Sequence, residues 1–396
     1  MVKLEKSKLD KKHLKFVFCA IVVMVVWLLC FHTLMGGTLL TPEFHNSYLL
    51  QVKSWFDGVL KIESGEKYTW LELAIFRGDY YLSFPPVPSV IMIPWYLAFG
   101  IDAPSNLIIA IHALIALVGV YFIFAKMGWS EEKCLFWTAL ATFGSNFLVI
   151  ASNGGVWYQA QVLNFCFLAW GIYFWLCKKY VPAFFLLALS VGCRPFSVII
   201  CLILYVWSVR ELLKKWKTIF FMSIGPVLVA FALGMYNFVR FGNPLEFGHN
   251  YLPEFLNSPN GQFSLAYLVQ NLINILRPVT LDRSLSIRFE LFDGFMFFLA
   301  NPIFAVWAWE IFQNAKAKTL KKKDAIVFAG FAVGLIALCL HKTMGGWQFG
   351  TRYLVDLIPF CFLFFIGRGS KKITVQRWCV LSCAVIFNMF GTIYIN

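Results

Sequence analysis

The stretch KLDKKHLKFVFCAIVVMVVWLLCFHTL, residues 8–34, sets a basic segment directly before an apolar run. The first 15 residues carry six lysines, whereas residues 16–34 contain no Lys, Arg, Asp or Glu. About 20 consecutive apolar residues suffice to cross the hydrocarbon core of a bilayer. The run also lacks an A-x-A cleavage site, so we predict a retained first membrane span rather than a signal peptide that is removed.

The rest of the chain repeats this alternation of basic segments and apolar runs. Of the 396 residues, 60% are hydrophobic and 14% are charged, whereas a soluble domain carries about 25% charged residues. No soluble domain remains outside the apolar runs, and neither a GxxxxGK[ST] loop nor a GxGxxG motif after a strand occurs. We therefore predict an all-α integral membrane protein, with residues 1–396 as one transmembrane domain of about eleven or twelve helices.

Beyond the first span, the pattern predicts two long polar loops, one short apolar segment and further full spans. The loops are residues 36–84, which should carry amphipathic juxtamembrane helices, and residues 239–290. The segment 87–101 is too short to cross a bilayer, and we interpret it as a half-inserted helix packed against other helices. The further spans are predicted at residues 104–126, 133–152, 157–177, 181–193, 195–209, 217–238, 291–312, 325–341, 353–367 and 376–394.

The net charge of +14 indicates membrane topology rather than binding to nucleic acid, because the basic residues cluster between apolar runs. Six such segments hold 23 of the 34 Lys and Arg residues: 1–15, 126–133, 178–179, 210–217, 314–324 and 368–377. Positively charged segments tend to face the cytoplasm. We therefore predict a multi-pass protein of the cell (plasma) membrane with a cytoplasmic N-terminus and both long loops on the extracytoplasmic face.

The first polar loop contains a candidate general base. Its stretch TPEFHNSYLLQVKSWFDGVLKI, residues 41–62, has apolar residues at helical spacing, which predicts an amphipathic helix along the membrane surface. Pro42 and Glu43 suit the start of that helix, where a carboxylate complements the helix dipole. Alternatively, Glu43 is a general base whose pKa is tuned by partial burial.

Four arginines border apolar runs on the predicted outer side: Arg194, Arg240, Arg288 and Arg352. A charged side chain near hydrocarbon is energetically costly and by default indicates a functional role. The guanidinium group of arginine can donate two parallel hydrogen bonds to the oxygens of a phosphate. Together these residues could hold a phosphate or pyrophosphate headgroup. Alternatively, they form ion pairs with Asp282, Glu290, Asp293 or Asp356. In particular, Arg352 stands four residues before Asp356, a spacing that pairs side chains on a helix.

Four segments, in this order, resemble bacterial glycosyltransferases of the GT-C fold. They are GDYYLSFPPVPSVIMIP (78–94), GCRPFSV (192–198), YNFVRFGNPLEFGHNY (236–251) and GGWQFGTRYLVDLIPF (345–360). The resemblance spans about residues 15–367 and is to polyprenyl-phosphate-sugar-dependent enzymes of the protein-mannosyltransferase-like and aminoarabinose lipid A transferase-like groups. It implies transfer of a sugar, with inversion, from a polyprenyl-phosphate carrier to a cell-envelope glycan, lipid or protein on the extracytoplasmic face.

The resemblance also implies roles for individual residues. Glu43 would be the base, where the family usually has Asp, with His45 or Asn46 orienting the acceptor. The region 152–161, where a second family acid often lies, contains no carboxylate. Arg194, Arg240, Arg352 and Arg288 would bind the donor phosphate. The substrate would contact Tyr80, Tyr81, Glu72, Tyr158, Gln159 and Trp347, although an interfacial aromatic belt also explains such aromatic residues.

Cofactor needs follow only weakly from the sequence. No DxD motif occurs, so no cofactor is certain, although a divalent metal ion such as Mg²⁺ or Mn²⁺ stays open. His249 and His341 are single histidines in the outer loops, and we expect them to form hydrogen bonds within those loops. The paired prolines Pro85 and Pro86 restrict the backbone to an extended entry before the short apolar segment, which should hold Tyr80 and Tyr81 at the rim of the site.

Two other functions stay open at this point. A transporter or flippase for a lipid-linked sugar would also use arginines near the membrane and a polar cavity. However, the short cytoplasmic loops would offer such a transporter only bulk positive charge. A catalytically silent GT-C-like subunit would explain the missing second carboxylate.

Overall fold

A computed structural model describes residues 11–281, 283, 287–369 and 371–396, apart from the side chains of residues 69 and 70. The chain is mostly helical, which confirms the predicted all-α membrane fold. The helices are α1 (Lys11–Leu34), α2 (Ser47–Phe56), α3 (Val87–Phe99), α4 (Ser105–Lys126), α5 (Glu131–Thr142), α6 (Phe147–Ala151), α7 (Val156–Leu176), α8 (Tyr180–Val191), α9 (Val198–Glu211), α10 (Trp216–Phe241), α11 (Pro253–Leu256), α12 (Leu268–Leu276), α13 (Phe297–Ala300), α14 (Ile303–Lys316), α15 (Lys322–Cys339), α16 (Ile358–Phe365) and α17 (Val375–Ile395).

The long apolar helices form the frame of the molecule. Within the described residues, four helices are long and apolar enough to cross a membrane: α1, α4, α10 and α17. Helix α4 packs against α7, α7 against α8, and α8 against α10. Leu117 and Phe165 are buried between such helices, whereas Phe231 and Val239 of α10 are exposed. A large exposed apolar surface of this kind suits contact with lipid rather than with water.

Two of the predicted spans are not single continuous helices. The span 133–152 divides into α5 and α6, and the span 291–312 gives only the short α13 and then α14. The first interruption centres on Asn146, whose backbone N–H donates to Asn301 Oδ1 at 2.9 Å and whose Nδ2 donates to the Phe349 carbonyl at 2.8 Å. These partners lie far along the chain, and local apolar periodicity does not report them.

The same asparagine fixes the backbone just before Arg352. The Oδ1 atom of Asn146 accepts the Thr351 N–H at 2.9 Å. The neighbouring Gly350 has φ 72°, and a Cβ on it would lie 2.3 Å from the Cβ of Ala300. Only glycine fits so tight a left-handed position. The chain therefore enters the turn at Arg352 in a single, closely packed arrangement.

The first polar loop contains a shorter helix than its sequence pattern predicts. Helix α2 spans Ser47–Phe56 with Asn46 at its N-cap, so the prediction that Pro42 and Glu43 begin the helix is wrong. Tyr48 and Val52 are fully buried, and α2 packs against α3. A helix is therefore present in this loop as predicted, and it packs against a neighbouring helix.

A small hairpin follows α2 and leads to the paired prolines. Strands β1 (Leu73–Phe76) and β2 (Asp79–Leu82) pair antiparallel, with Leu73 opposite Leu82 and Phe76 opposite Asp79. Two further short strands, β3 (Thr280–Leu281) and β4 (Ile287–Arg288), pair in the second polar loop. After the prolines, α3 has 13 residues, which agrees with the short helix predicted there. The Val87 N–H donates to the Gly192 carbonyl at 3.2 Å and so ties the start of α3 to the end of α8.

Candidate functional site

The two polar loops, the start of α7, the segment 341–353 and the end of α17 line a cavity of about 570 Å³, which we call cavity A. It collects several ionisable and aromatic side chains that are distant in sequence. Three glutamates and one arginine give it more negative than positive groups. The side chains used below are Glu43, His45, Glu72, Trp157, Tyr158, His249, Glu254, His341, Trp347, Arg352 and Tyr353.

Glu43 and His45 come together in cavity A. Glu43 Oε1 lies 3.3 Å from His45 Nδ1, and both side chains keep partial exposure. The Glu43 backbone N–H donates to Ser105 Oγ at 2.8 Å, and the Val156 N–H donates to the His45 carbonyl at 2.8 Å. The loop is thus attached to the N-termini of α4 and α7. This attachment presents a carboxylate to the cavity from a fixed backbone, as a general base requires.

Glu72 combines an unusual backbone with a partly buried carboxyl group. Its φ of 52° and ψ of 54° lie in the left-handed region, which is uncommon for a residue other than glycine. Its Oε2 accepts the Trp157 indole N–H at 2.8 Å. Burial raises the pKa of Glu72, and the bond to Trp157 opposes this rise. Strained backbone and a shifted pKa in a cavity both indicate a functional residue.

Glu254 is a site residue that sequence reasoning missed. It lies in the first turn of α11 and lines cavity A beside the other two glutamates. Burial raises the pKa of its carboxyl group, and Lys342 opposes this rise. An acid directly after Pro253 is typical of any helix start, so the sequence offered no signal that separates this role from capping.

Arg352 is buried in the wall of cavity A with neutral partners. Its Nη2 donates to the Gly345 carbonyl at 2.7 Å, and its Nη1 donates to Gln161 Oε1 at 2.8 Å. Its guanidinium also lies 5.2 Å from the centre of the Tyr158 ring. Across the described part of the chain, no carboxylate lies within ion-pair distance of Arg352. A buried cation without a direct ion pair is costly, and an anionic ligand beside it would lower this cost.

The predicted ion pair between Arg352 and Asp356 does not form. Arg352–Leu357 is a 3₁₀ turn, in which residues three apart, rather than four apart, lie over one another. Asp356 instead accepts a hydrogen bond from Arg194 Nε at 2.9 Å and another from Asn164 Nδ2 at 3.1 Å. The alternative interpretation therefore holds for Arg194, whose charge is compensated.

Arg194 lines a second, neighbouring cavity of about 320 Å³, which we call cavity B. The two cavities share the side chains of Phe84, His249, His341 and Tyr353. The guanidiniums of Arg194 and Arg352 lie 4.7 and 5.0 Å from the centre of the Tyr353 ring. One aromatic ring at the boundary therefore contacts both arginines.

The other two predicted phosphate-binding arginines line neither cavity. Arg240 Nη1 donates to the Leu82 carbonyl at 2.8 Å and Nη2 donates to Asn237 Oδ1 at 2.9 Å, which ties β2 to the end of α10. Arg288 lies in the exposed strand β4. Of their proposed partners, Asp282 lies outside the described residues. Neither arginine is placed to meet a ligand in cavity A or B.

Four more predicted site residues lie outside both cavities, whereas Tyr158 and Trp347 line cavity A. Tyr80 covers Gly65 so closely that a Cβ there would lie 2.3 Å from its ring. Tyr81 lies against Phe241, with ring centres 5.4 Å apart. Asn46 and Gln159 are buried in the protein rather than exposed to a ligand. The predictions that Tyr80, Tyr81 and Gln159 contact the substrate, and that Asn46 orients the acceptor, are therefore not supported by the geometry.

The described residues contain no cluster of candidate ligands for a divalent metal ion. Of the side chains that the structure describes, no three from His, Cys, Asp and Glu lie close enough together to hold one. The three glutamates of cavity A line one space without forming such a group. The Mg²⁺ or Mn²⁺ ion that the sequence left open therefore has no proposed ligands.

Comparison with solved structures confirms the predicted GT-C fold. The chain is similar to ArnT from Cupriavidus metallidurans bound to undecaprenyl phosphate, with a TM-score of 0.52 and 13% identity over 91% of this chain and 62% of ArnT. The apo state of the same ArnT gives a TM-score of 0.51 and 13% identity over 93% and 61%. At this identity the likeness establishes the fold alone.

The chain spans about three fifths of the length of the ArnT structures that it matches. Neither a protein-family model nor a curated protein matches its sequence. Its chemistry must therefore be argued from its own side chains.

Proposed function

We propose that the protein is a membrane glycosyltransferase that moves a sugar from a polyprenyl-phosphate carrier to a hydroxyl group of a cell-envelope glycan, lipid or protein. One observation carries this proposal: Arg352, buried among neutral partners, lines the same cavity as the accessible carboxylate of Glu43. The arginine suits an anion, and the carboxylate suits a hydroxyl group. ArnT, which has a similar fold, was solved with undecaprenyl phosphate bound, and this supports a polyprenyl-phosphate donor.

The donor phosphate would lie beside Tyr353, within reach of Arg352 and Arg194. When the bond between the anomeric carbon and the phosphate oxygen breaks, its electron pair leaves with the phosphate. The Arg352 guanidinium stabilises the charge that develops on that oxygen. A lipid phosphate is already a good leaving group, so this step requires no acid to protonate it.

Glu43 would accept the proton of the acceptor hydroxyl as that oxygen bonds to the anomeric carbon. His45 holds the Glu43 carboxylate through its ring nitrogen. Attack from the face opposite the leaving phosphate inverts the anomeric centre. Glu72 and Glu254 would accept hydrogen bonds from sugar or acceptor hydroxyl groups in cavity A. We further propose that this cavity opens on the extracytoplasmic face of the plasma membrane, and that the N-terminus is cytoplasmic.

The test is transfer by the full-length protein in detergent. The protein is incubated with a panel of radiolabelled undecaprenyl-phosphate monosaccharides and an extract of cell envelopes, and free undecaprenyl phosphate is measured. We expect release with at least one donor, and a loss of about 10²- to 10⁴-fold in kcat for Glu43→Gln. Glu63→Gln is the matched control, because Glu63 is exposed in the same loop and lines neither cavity.

The outcomes separate the assignment of the base from the function. Release by Glu43→Gln at the wild-type rate would remove Glu43 from the mechanism and leave the transferase intact. Absence of release with every donor would overturn the transferase and favour a transporter or a silent subunit. A flippase would in addition move a labelled donor across a vesicle membrane.

A further inference from the structure

His249 stands at the junction of the two cavities with one ring nitrogen already committed. Its Nδ1 lies 2.6 Å from the Ser83 carbonyl oxygen. A carbonyl oxygen only accepts hydrogen bonds, so Nδ1 carries the proton. The neutral ring then presents a lone pair on Nε2. The ring is held by Phe84, edge-on at 5.1 Å, and by Phe255, nearly parallel at 6.2 Å between centres.

The electrostatic surroundings keep this ring neutral. Burial lowers the pKa of His249 to about 4, an effect that Arg194 increases and the bond to Ser83 opposes. At neutral pH the side chain therefore cannot pair with a phosphate as a cation. Toward the junction of the two cavities, the neutral ring of His249 offers one hydrogen-bond acceptor, Nε2, and no N–H donor.

His341 provides an internal comparison, because it also lines both cavities but has both nitrogens engaged. Its Nδ1 lies 2.8 Å from the Thr343 carbonyl oxygen, and its Nε2 lies 3.2 Å from Gln262 Nε2. Among the residues that the structure describes, no comparable hydrogen-bond partner meets Nε2 of His249. The two neighbouring histidines thus differ in one property, an acceptor that is open to a ligand.

We propose that His249 determines specificity for the transferred sugar: its Nε2 accepts a hydrogen bond from a hydroxyl group on the sugar ring. The inference rests on the proposed function. A sugar attached to a phosphate beside Tyr353 and attacked by an acceptor beside Glu43 would lie between these two residues in cavity A, which His249 also lines. A sugar without that hydroxyl would leave a desolvated acceptor unpaired, and sites built around such a bond discriminate strongly against the analogue that lacks it.

The test compares the donor found active in the panel above with its monodeoxy analogues. His249→Asn keeps an N–H donor at the position of Nδ1 and removes the acceptor at Nε2, whereas His249→Gln places an amide oxygen near Nε2. We expect one deoxy position to lower the kcat/KM of the wild-type protein about 10- to 100-fold. His249→Asn should lose a similar factor with the complete donor and little more with that analogue, and His249→Gln should recover part of the loss.

A second measurement reports the open nitrogen without catalysis. Diethyl pyrocarbonate acylates neutral histidines, and mass spectrometry locates the product. We expect His249 to react several-fold faster than His341, at a rate that is constant between about pH 6 and pH 8, because the ring stays neutral above its lowered pKa. The active undecaprenyl-phosphate sugar should slow this reaction.

Each outcome decides the matter. Transfer with the same deoxy penalties in the wild-type protein and in His249→Asn would overturn the role of His249 and leave the transferase standing. Faster labelling of His341 than of His249 would also contradict the conclusion that Nε2 of His249 is open to a ligand. No transfer with any donor would overturn the function and this inference together.

Discussion

Arg352 and Arg368 stand at the two ends of one helical segment, the 3₁₀ turn followed by α16, and both side chains are buried. Arg368 forms a two-pronged ion pair with Asp324, in which Nη1 lies 2.7 Å from Oδ1. Arg352 bonds to a carbonyl and an amide oxygen instead. Both arginines are therefore buried, and they differ in the charge of their hydrogen-bond partners. A buried arginine points to function when its charge is left uncompensated by the protein.

The Arg368 end of this segment also forms hydrogen bonds to backbone carbonyl groups. The guanidinium donates to the Phe364 carbonyl at 2.8 Å, and Lys321 Nζ donates to the Gly367 carbonyl at 3.1 Å. Asp324 additionally accepts the Lys321 N–H at 2.6 Å at the start of α15. Cations on the last carbonyls of a helix stabilise it. This end therefore has a structural role, whereas the Arg352 end opens into cavity A.

The largest effect should come from removing the uncompensated charge. Arg352→Gln should lower kcat/KM about 10³-fold, because a group that stabilises the leaving phosphate is lost. The melting temperature in detergent should change little, since the loss of three side-chain hydrogen bonds is offset by removal of a buried cation that has no ion pair. An unchanged kcat/KM together with a lower melting temperature would show that Arg352 has a structural role, as Arg368 does.

The next effect belongs to stability rather than to activity. Arg368→Gln leaves Asp324 buried without its cation and should lower the free energy of unfolding by about 3–5 kcal/mol. The double variant Arg368→Met with Asp324→Leu should recover part of this loss, because an apolar pair replaces the ion pair while the bond from the Lys321 N–H to Asp324 is lost. Transfer measured well below the melting temperature should stay near the wild-type rate in both variants. A 10³-fold loss of transfer in either would contradict a purely structural role.

The Arg368 end should also respond to acid in a defined direction. Burial alone would raise the pKa of Asp324, but its hydrogen bonds to Arg368 and to the Lys321 N–H outweigh burial and lower that pKa. The pair therefore stabilises the fold above the ordinary range of an aspartate, about pH 4, and this contribution disappears as pH falls through the lowered pKa. Unfolding followed against pH should show this loss in the wild-type protein and not in the double variant.

A smaller effect is expected at Glu72, where burial raises the pKa. If its carboxylate binds a substrate hydroxyl, kcat/KM should fall on acidification at a pH above the ordinary glutamate range. Glu72→Gln should abolish this fall of kcat/KM at acidic pH. It should also lower the kcat/KM at neutral pH about tenfold, the effect of losing a charged hydrogen bond. A carboxyl group with a raised folded-state pKa destabilises the fold as pH rises through its unfolded-state pKa. Glu72→Gln should therefore raise the melting temperature at neutral pH, and a fall would contradict this reading.

Local pattern predicted the helices well and the site only in part. The spans at 104–126, 157–177, 217–238 and 376–394 became α4, α7, α10 and α17, because apolar length is a local property. The break at Asn146 depends on Asn301 and Phe349, which no local window contains. In the same way, neutral partners distinguish Arg352, and Asp356 was the wrong candidate because the turn there is 3₁₀. Glu43 with His45 was found because both stand two residues apart in one loop.

The smallest effects are expected on the hairpin, the region where the sequence suggested substrate contacts that the geometry does not support. Tyr80→Phe and Tyr81→Phe should change kcat/KM less than about twofold, because neither side chain lines cavity A or cavity B. Tyr158→Phe is the contrasting variant, because Tyr158 lines cavity A and contacts Arg352. It should lower kcat/KM several-fold if its hydroxyl meets the ligand. A tenfold loss of kcat/KM at Tyr80 or Tyr81, with no loss at Tyr158, would place the sugar at the β1–β2 hairpin rather than in cavity A. Arg240, which bonds to that hairpin, would then replace Arg352 as the candidate ligand of the phosphate.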